Sequence, residues 1–204
     1  VKRAALASFA VAALAGLTLA VVNGPEILIP GALAIAAGWL YTGGPRPYGY
    51  AGLGEVFVFL FFGVVATVGS TYVQTDVILG ESVVASIPVG LWATALLVVN
   101  NLRDIPGDSA VGKRTLAVRL GDARTRWLYV GVLVVAFACV PLVAGLYERP
   151  AAAAALVGIV LARRPVLRVL EGASGADLIP VLGATGLVQL VSGTLLAGGI
   201  WLAA

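Results

Sequence analysis

Histidine and methionine are absent from the 204 residues, cysteine occurs once, and only 11% of positions are Asp, Glu, Lys or Arg. Without His, imidazole catalysis and His-ligated metal sites are excluded. The single Cys139 lies inside the apolar stretch VVAFACVPLV, so one chain can form neither a disulfide nor a thiolate metal site. It reads as a small packing residue. An ordinary soluble domain carries roughly 25% charged residues. Here 60% of residues are hydrophobic and the mean hydropathy is +1.03. The class is a polytopic membrane protein, a single domain over residues 1–204. A pI near 9.3 is explained by loop charges that set orientation in lipid, and no nucleic-acid partner is implied. Nothing resembles a cleaved signal peptide, because the first apolar run is followed by more spans. With Val1 first and no Met, the expectation is a piece of something longer or a misassigned start.

Apolar runs near the ~20 residues that a span requires occur seven times, at about 4–22, 27–41, 56–73, 83–99, 127–147, 151–161 and 178–202. The sixth is weak. As an α-helix its strictly apolar stretch rises only about 18 Å against a ~30 Å core, so Arg163 and Arg164 must snorkel or face a polar cavity. Loop charges alternate in sign. Twelve of the thirteen basic residues fall on one face, while Glu26, Asp76, Glu81 and Glu148 share the other with Arg149. The positive-inside rule makes the basic face cytoplasmic, with the N-terminus inside and the C-terminus outside. The outer connections are short. The inner ones are long and chemically rich, so function is expected at the cytoplasmic side. Gly183, Gly186, Gly193, Gly198 and Gly199 in the last span suit close helix packing.

Scarce charge gathers in NNLRDIPGDSAVGKRT, residues 100–115. Asp104 and Asp108 are four apart, the spacing that stacks two carboxylates on one helix face. Pro106 disfavours helix for the residue before it, which ends the span near Asp104 and leaves Asp108 on a returning loop. In either arrangement the two acids converge at the membrane edge, with Asn100 and Asn101 one turn deeper. Oxygen ligands of this kind suit Mg²⁺ held by carboxylates plus substrate phosphates. Lys113 and Arg114 can receive phosphate oxygens as a point charge and a planar fork. The alternative is a set of loop charges pairing with one another. The asparagines at a span end favour a binding function over that reading.

The first inner loop, YTGGPRPYGYAGLGE, holds Arg46 among Tyr41, Tyr48 and Tyr50 in a stiff Gly/Pro turn. Such a cluster could bind diphosphate or an aromatic carboxylate. From the residues alone, an interfacial tyrosine belt with one orienting cation is the simpler account.

Together, YTGGPRPYGYAGLGEVFVFLFFG (41–63) and NNLRDIPGDSAVGKRTLAVRLG (100–121) resemble the dihydroxynaphthoate polyprenyltransferases of menaquinone synthesis, a branch of the UbiA prenyltransferase superfamily. The resemblance runs through the whole chain. It implies an all-α bundle of nine transmembrane helices in the cell membrane, binding a polyprenyl diphosphate through Mg²⁺ at two acidic motifs. The allylic diphosphate ionises, and a ring carbon of dihydroxynaphthoate captures the prenyl group with loss of the carboxylate. Carried over residue by residue, Asp104 and Asp108 match the acids of the second motif and would hold the metal. Asn100, Asn101 and Arg103 match its flank, and Lys113 and Arg114 its basic follow-up. Tyr41, Arg46 and Tyr48 match the loop that closes over the substrates, with Arg46 and Tyr48 placed nearest the chemistry.

The first acidic motif of that pattern has no counterpart, since residues 1–40 contain no Asp and Glu26 falls on the outer face. The expectation is therefore that the seven spans correspond to helices three to nine, and that residues 1–204 alone insert but transfer no prenyl group. Rival readings are another UbiA-type aromatic prenyltransferase, a polar-solute transporter, or an inactive fragment. The spans carry almost no ionisable residues, which argues against transport.

Overall fold

The computed structural model describes residues 2–45 and 47–202. Among them there is helix and no strand, so the bundle is all-α as expected. Helix α1 (Lys2–Asn23) turns through Gly24 and a short 3-10 segment into α2 (Leu28–Thr42). A tyrosine turn (Tyr48–Ala51) follows. Then α3 (Gly54–Val58), a π-helical segment (Phe59–Val65) and α4 (Ala66–Thr75) run on as one helix. The 31-residue α5 (Gly80–Ala110) is the centrepiece, and the short α6 (Leu116–Leu120) leads to α7 (Asp122–Leu146). A 3-10 stretch (Pro150–Val157) enters α8 (Gly158–Leu170), and α9 (Ile179–Leu202) closes the order.

Six helices among the described residues are long and apolar enough to cross a membrane: Arg3–Asn23, Pro25–Thr42, Gly54–Thr75, Gly80–Ala110, Asp122–Leu146 and Gly175–Leu202. The seventh expected span, at 151–161, is not among them, and its construction explains why. A 3-10 helix of eight residues, Pro150–Val157, winds its first part, and the following α8 carries Arg163, Arg164 and Arg168. At roughly 2.0 Å per 3-10 residue and 1.5 Å per α residue, the pair reaches about 36 Å, enough to match a ~30 Å core. Length that the apolar run alone lacks comes from tighter winding and from continuing past the arginines. An alanine run permits this, because Ala152 and Ala155 are fully buried and the segment lies directly on α9.

That contact corrects the reading of the last-span glycines. Only Gly199 is pressed against a neighbour, since a Cβ there would sit 2.4 Å from the Ala151 carbonyl. Gly183, Gly186, Gly193 and Gly198 face open space.

Helix α5 also departs from expectation. It does not stop near Asp104 but continues through Pro106 to Ala110, so Asp108 is helical rather than on a returning loop. A helical proline removes one N–H and crowds the carbonyl four residues back. Here it stands near the helix end, where little regular helix follows. The final turn is closed by Val111 N–H donating to the Gly107 carbonyl (3.3 Å) and Lys113 N–H to that of Asp108 (2.9 Å).

The two ends of the bundle are chemically distinct. At one, Asn23 donates to the Val73 carbonyl (2.7 Å), the Tyr72 hydroxyl to Glu26 (2.6 Å), and Arg149 to Glu81 (3.0 Å). At the other, Arg114 N–H donates to the Tyr50 carbonyl (3.0 Å), and Arg126 binds Asp122 while reaching the Ala173 carbonyl beyond α8 (3.0 Å). The core fills the space between α5, α7, α8 and α9, around Trp92, Tyr129, Val140, Val169 and Val188. Helix α5 meets the π-helical segment at a glycine crossing, where a Cβ on Gly63 would lie 2.5 Å from the Cα of Gly90. Farther along α5, the start of α3 meets it again, with Gly54 against Leu97 and Glu55 bonded to Asn101.

Candidate active site

Because α5 stays helical to Ala110, Asn100, Asp104 and Asp108 follow one another at four-residue steps on a single face. Each acid is held by a cation. Arg103 clasps Asp104 with two hydrogen bonds, of 2.7 and 2.8 Å, and Asn100 approaches the same carboxylate at 3.4 Å. The Lys113 ammonium lies 3.1 Å from the buried Asp108 and 4.9 Å from the ring centre of Tyr50. Asp108 raises the Lys113 pKa above the ordinary lysine value by accepting its proton in a hydrogen bond. A cavity of about 110 Å³ lies among Tyr41, Asn100, Asn101, Asp104, Asp108 and Lys113.

The tyrosine turn forms the wall opposite α5. Gly52 takes φ +76°, and a Cβ there would crowd Arg119 and the Arg114 carbonyl, so the turn is seated on the segment after α5. The Tyr48 hydroxyl donates to the Ala37 carbonyl (2.9 Å), and its ring stacks on Phe57 with centroids 3.8 Å apart. Burial raises the Tyr48 pKa, and nearby Tyr41 adds to the effect. Tyr41 tilts against Tyr48 at 5.5 Å. Beyond it opens an apolar cavity of about 620 Å³, walled by Tyr41, Tyr48, Phe57, Phe61 and Phe62. The π-helical turn carries Phe61 and Phe62, and such bulges are frequent at functional sites. Tyr41 borders both cavities, polar on one side and aromatic on the other.

The polar cavity therefore brings together Tyr41, Asn100, Asn101, Asp104, Asp108 and Lys113 from the residues the sequence singled out. Arg103 joins through Asp104. Tyr48 stands on the aromatic side. Arg114 is exposed and joins through its backbone N–H, which holds the tyrosine turn. Arg46 lies outside the described residues. One residue escaped the sequence reading. Glu55, only 7% exposed at the start of α3, accepts a hydrogen bond from the Asn101 side-chain amide at 3.0 Å. Its other oxygen is buried without a partner among the described residues, which in general costs about 1–3 kcal/mol. A lone acid heading the apolar run 56–73 was the available signal.

Residues 1–178 match the UbiA prenyltransferase family. The chain belongs to that family. The chain is 46% identical over 200 residues to the 1,4-dihydroxy-2-naphthoate octaprenyltransferase of Mycobacterium tuberculosis, covering 98% of this chain and 68% of that protein. The enzyme of the same name from Mycobacterium leprae is 43% identical over 205 residues, covering all of this chain and 68% of that protein. That of Escherichia coli is 40% identical over 147 residues, covering 69% of this chain and 48% of that protein. No solved structure matches.

UbiA prenyltransferases are generally metal-dependent enzymes. Among the described residues of this family member, no group of three or more His, Cys, Asp or Glu side chains is placed to hold a metal. The polar cavity offers two carboxylates and two carboxamides, with no sulfur or imidazole donor. Such a sparse, all-oxygen set fits Mg²⁺, which keeps its waters and takes the remaining oxygens from substrate phosphates.

Proposed function

We propose that the intact enzyme carrying this chain transfers a polyprenyl group from an allylic diphosphate to 1,4-dihydroxy-2-naphthoate, releasing diphosphate and, from the carboxylate, CO₂, and giving demethylmenaquinol. The observation that carries this reading is the pairing of a carboxylate-lined polar cavity with an aromatic cavity across the single wall of Tyr41. The diphosphate belongs in the first, and the reacting end of the chain and the ring belong against the second. The relatives' shared name supplies the acceptor.

Asp104 and Asp108 would hold Mg²⁺, which when bound would neutralise diphosphate charge and make it a better leaving group. Arg103 and Lys113 balance the two acids, and each gains an alternative anion when a diphosphate enters. The faces of Tyr41, Tyr48 and Phe57 attract positive charge developing on the allylic carbons. The apolar lining keeps water from capturing that carbon before the naphthoate ring does. Offered equal amounts of 1,4-dihydroxy-2-naphthoate and 4-hydroxybenzoate, membranes carrying the intact enzyme should prenylate the naphthoate at least tenfold faster. Preference for the benzoate would move the chain to another branch of the family.

We place the chain in the cell membrane with the polar cavity at the cytoplasmic face. The support is the basic end of the bundle, where Arg103, Lys113, Arg114, Arg119, Arg124 and Arg126 cluster. In a Cys139→Ser background, Ser109→Cys and Ser174→Cys should react with a membrane-impermeant maleimide only from the cytoplasm. Val77→Cys, on the exposed turn at the opposite end, should react only from outside. Labelling of Ser109→Cys from outside would reverse the orientation.

A further inference from the structure

We propose that Glu55 is a positioning residue that fixes the side-chain amide of Asn101, so that the Asn101 carbonyl oxygen faces the polar cavity beside Asp104 and Asp108. The inference rests on the diphosphate-binding role proposed above.

An asparagine side chain can turn either its oxygen or its nitrogen to a given neighbour. A carboxylate only accepts. With Glu55 taking the amide N–H at 3.0 Å, the nitrogen of Asn101 points towards α3 and the oxygen is left for the other side. Asn101 itself lines the polar cavity and is 7% exposed. The oxygen thus joins two carboxylates where a hard cation and a diphosphate would sit. Were the amide reversed, its N–H₂ would face the cavity and repel a cation.

Glu55 is not consumed by any other task. None of the ion pairs among the described residues involves it, and its second oxygen has no partner. The adjoining Gly54 packs closely on Leu97 and Tyr41, where an added Cβ would stand 3.3 Å from the Leu97 side chain. The α3 helix start is therefore docked on α5 one turn before the acids. A carboxylate behind the amide also draws its N–H and enriches its oxygen, as outer partners do for ligands in metal sites.

The test is Mg²⁺-dependent binding of farnesyl S-thiolodiphosphate, an analogue slow to ionise, to the intact enzyme in detergent. Glu55→Ala should raise the half-saturating Mg²⁺ concentration about tenfold, while Mg²⁺-free binding through the apolar tail stays unchanged. Glu55→Gln, whose carbonyl can still accept the Asn101 N–H, should shift it less than threefold. Asn101→Ala should match Glu55→Ala, and the double variant should add nothing, as expected for two residues acting as one unit. An unshifted Mg²⁺ dependence in Glu55→Ala, or additive effects of the two changes, would overturn the positioning role. Equal weakening with and without Mg²⁺ would also overturn it, as the mark of a merely structural residue. Absence of Mg²⁺-dependent binding in the unsubstituted enzyme would overturn the functional reading together with this one.

Discussion

Replacing Asp104 or Asp108 by Ala should lower prenyl transfer by about 10²–10³-fold, the usual loss when a group stabilising developing charge is removed. The protein should still insert, because neither carboxylate contributes to the apolar core. Each substitution acts twice. It deletes an oxygen ligand from the polar cavity and releases a cation, Arg103 or Lys113, that the acid had balanced. Asp122→Ala is the matched control, an acid at the same end of the bundle whose partner is Arg126 at 2.6 Å. Its carboxylate is 58% exposed, so its loss should cost about 1 kcal/mol of stability or less and under threefold in turnover. Arg126 retains the Ala173 carbonyl. Near-normal rates in both Asp104→Ala and Asp108→Ala would return these residues to ordinary loop charges.

The second large effect is expected at the glycine crossing. A Cβ on Gly90 would meet the Phe59 side chain at 2.8 Å and the Gly63 Cα at 3.0 Å. Alanine at Gly63 or Gly90 should cost about 1–3 kcal/mol, the usual range for overpacking a tight interior. Leucine at either position cannot be absorbed by side-chain motion, since backbone meets backbone, and should abolish a monodisperse detergent-extracted species. Activity should fall before folding does in the alanine variants, because Phe57 and Phe61, which flank the crossing residue Phe59, line the aromatic cavity. Gly69→Leu, with nothing within 4 Å of the added Cβ, should extract and melt like the parent. Fluorescence-detected size exclusion and thermal melting measure all of these. A parent-like Gly63→Leu would mean that the helices do not cross so closely.

What was legible in the sequence follows from which signals are local. Apolar runs and alternating loop charge are local, and they place α1, α2, the third pass and α9 within a few residues of their observed limits, while α5 and α8 run well past theirs. The four-residue spacing of Asp104 and Asp108 is local too, and it survives because α5 remains helical. Pro106 misled because its cost was weighed without the hydrogen bonds that close the turn after it. The 151–161 span looked short because 3-10 winding is dictated by contact with α9 rather than by composition. Glu55 was invisible for a related reason. Its partner Asn101 is 46 residues away, and only the docking of α3 on α5 joins them. The π-helical turn leaves no mark in FLFFGVV beyond a glycine.

The most direct measurement uses 1,4-dihydroxy-2-naphthoate labelled in its carboxyl carbon, a polyprenyl diphosphate and Mg²⁺, incubated with membranes carrying the intact enzyme. Release of labelled CO₂ equimolar with diphosphate and demethylmenaquinol, lost on chelation and in Asp104→Ala, is the predicted result. Prenylated product that retains the label, or transfer undiminished by chelation, would contradict the assignment of this site to decarboxylative prenyl transfer.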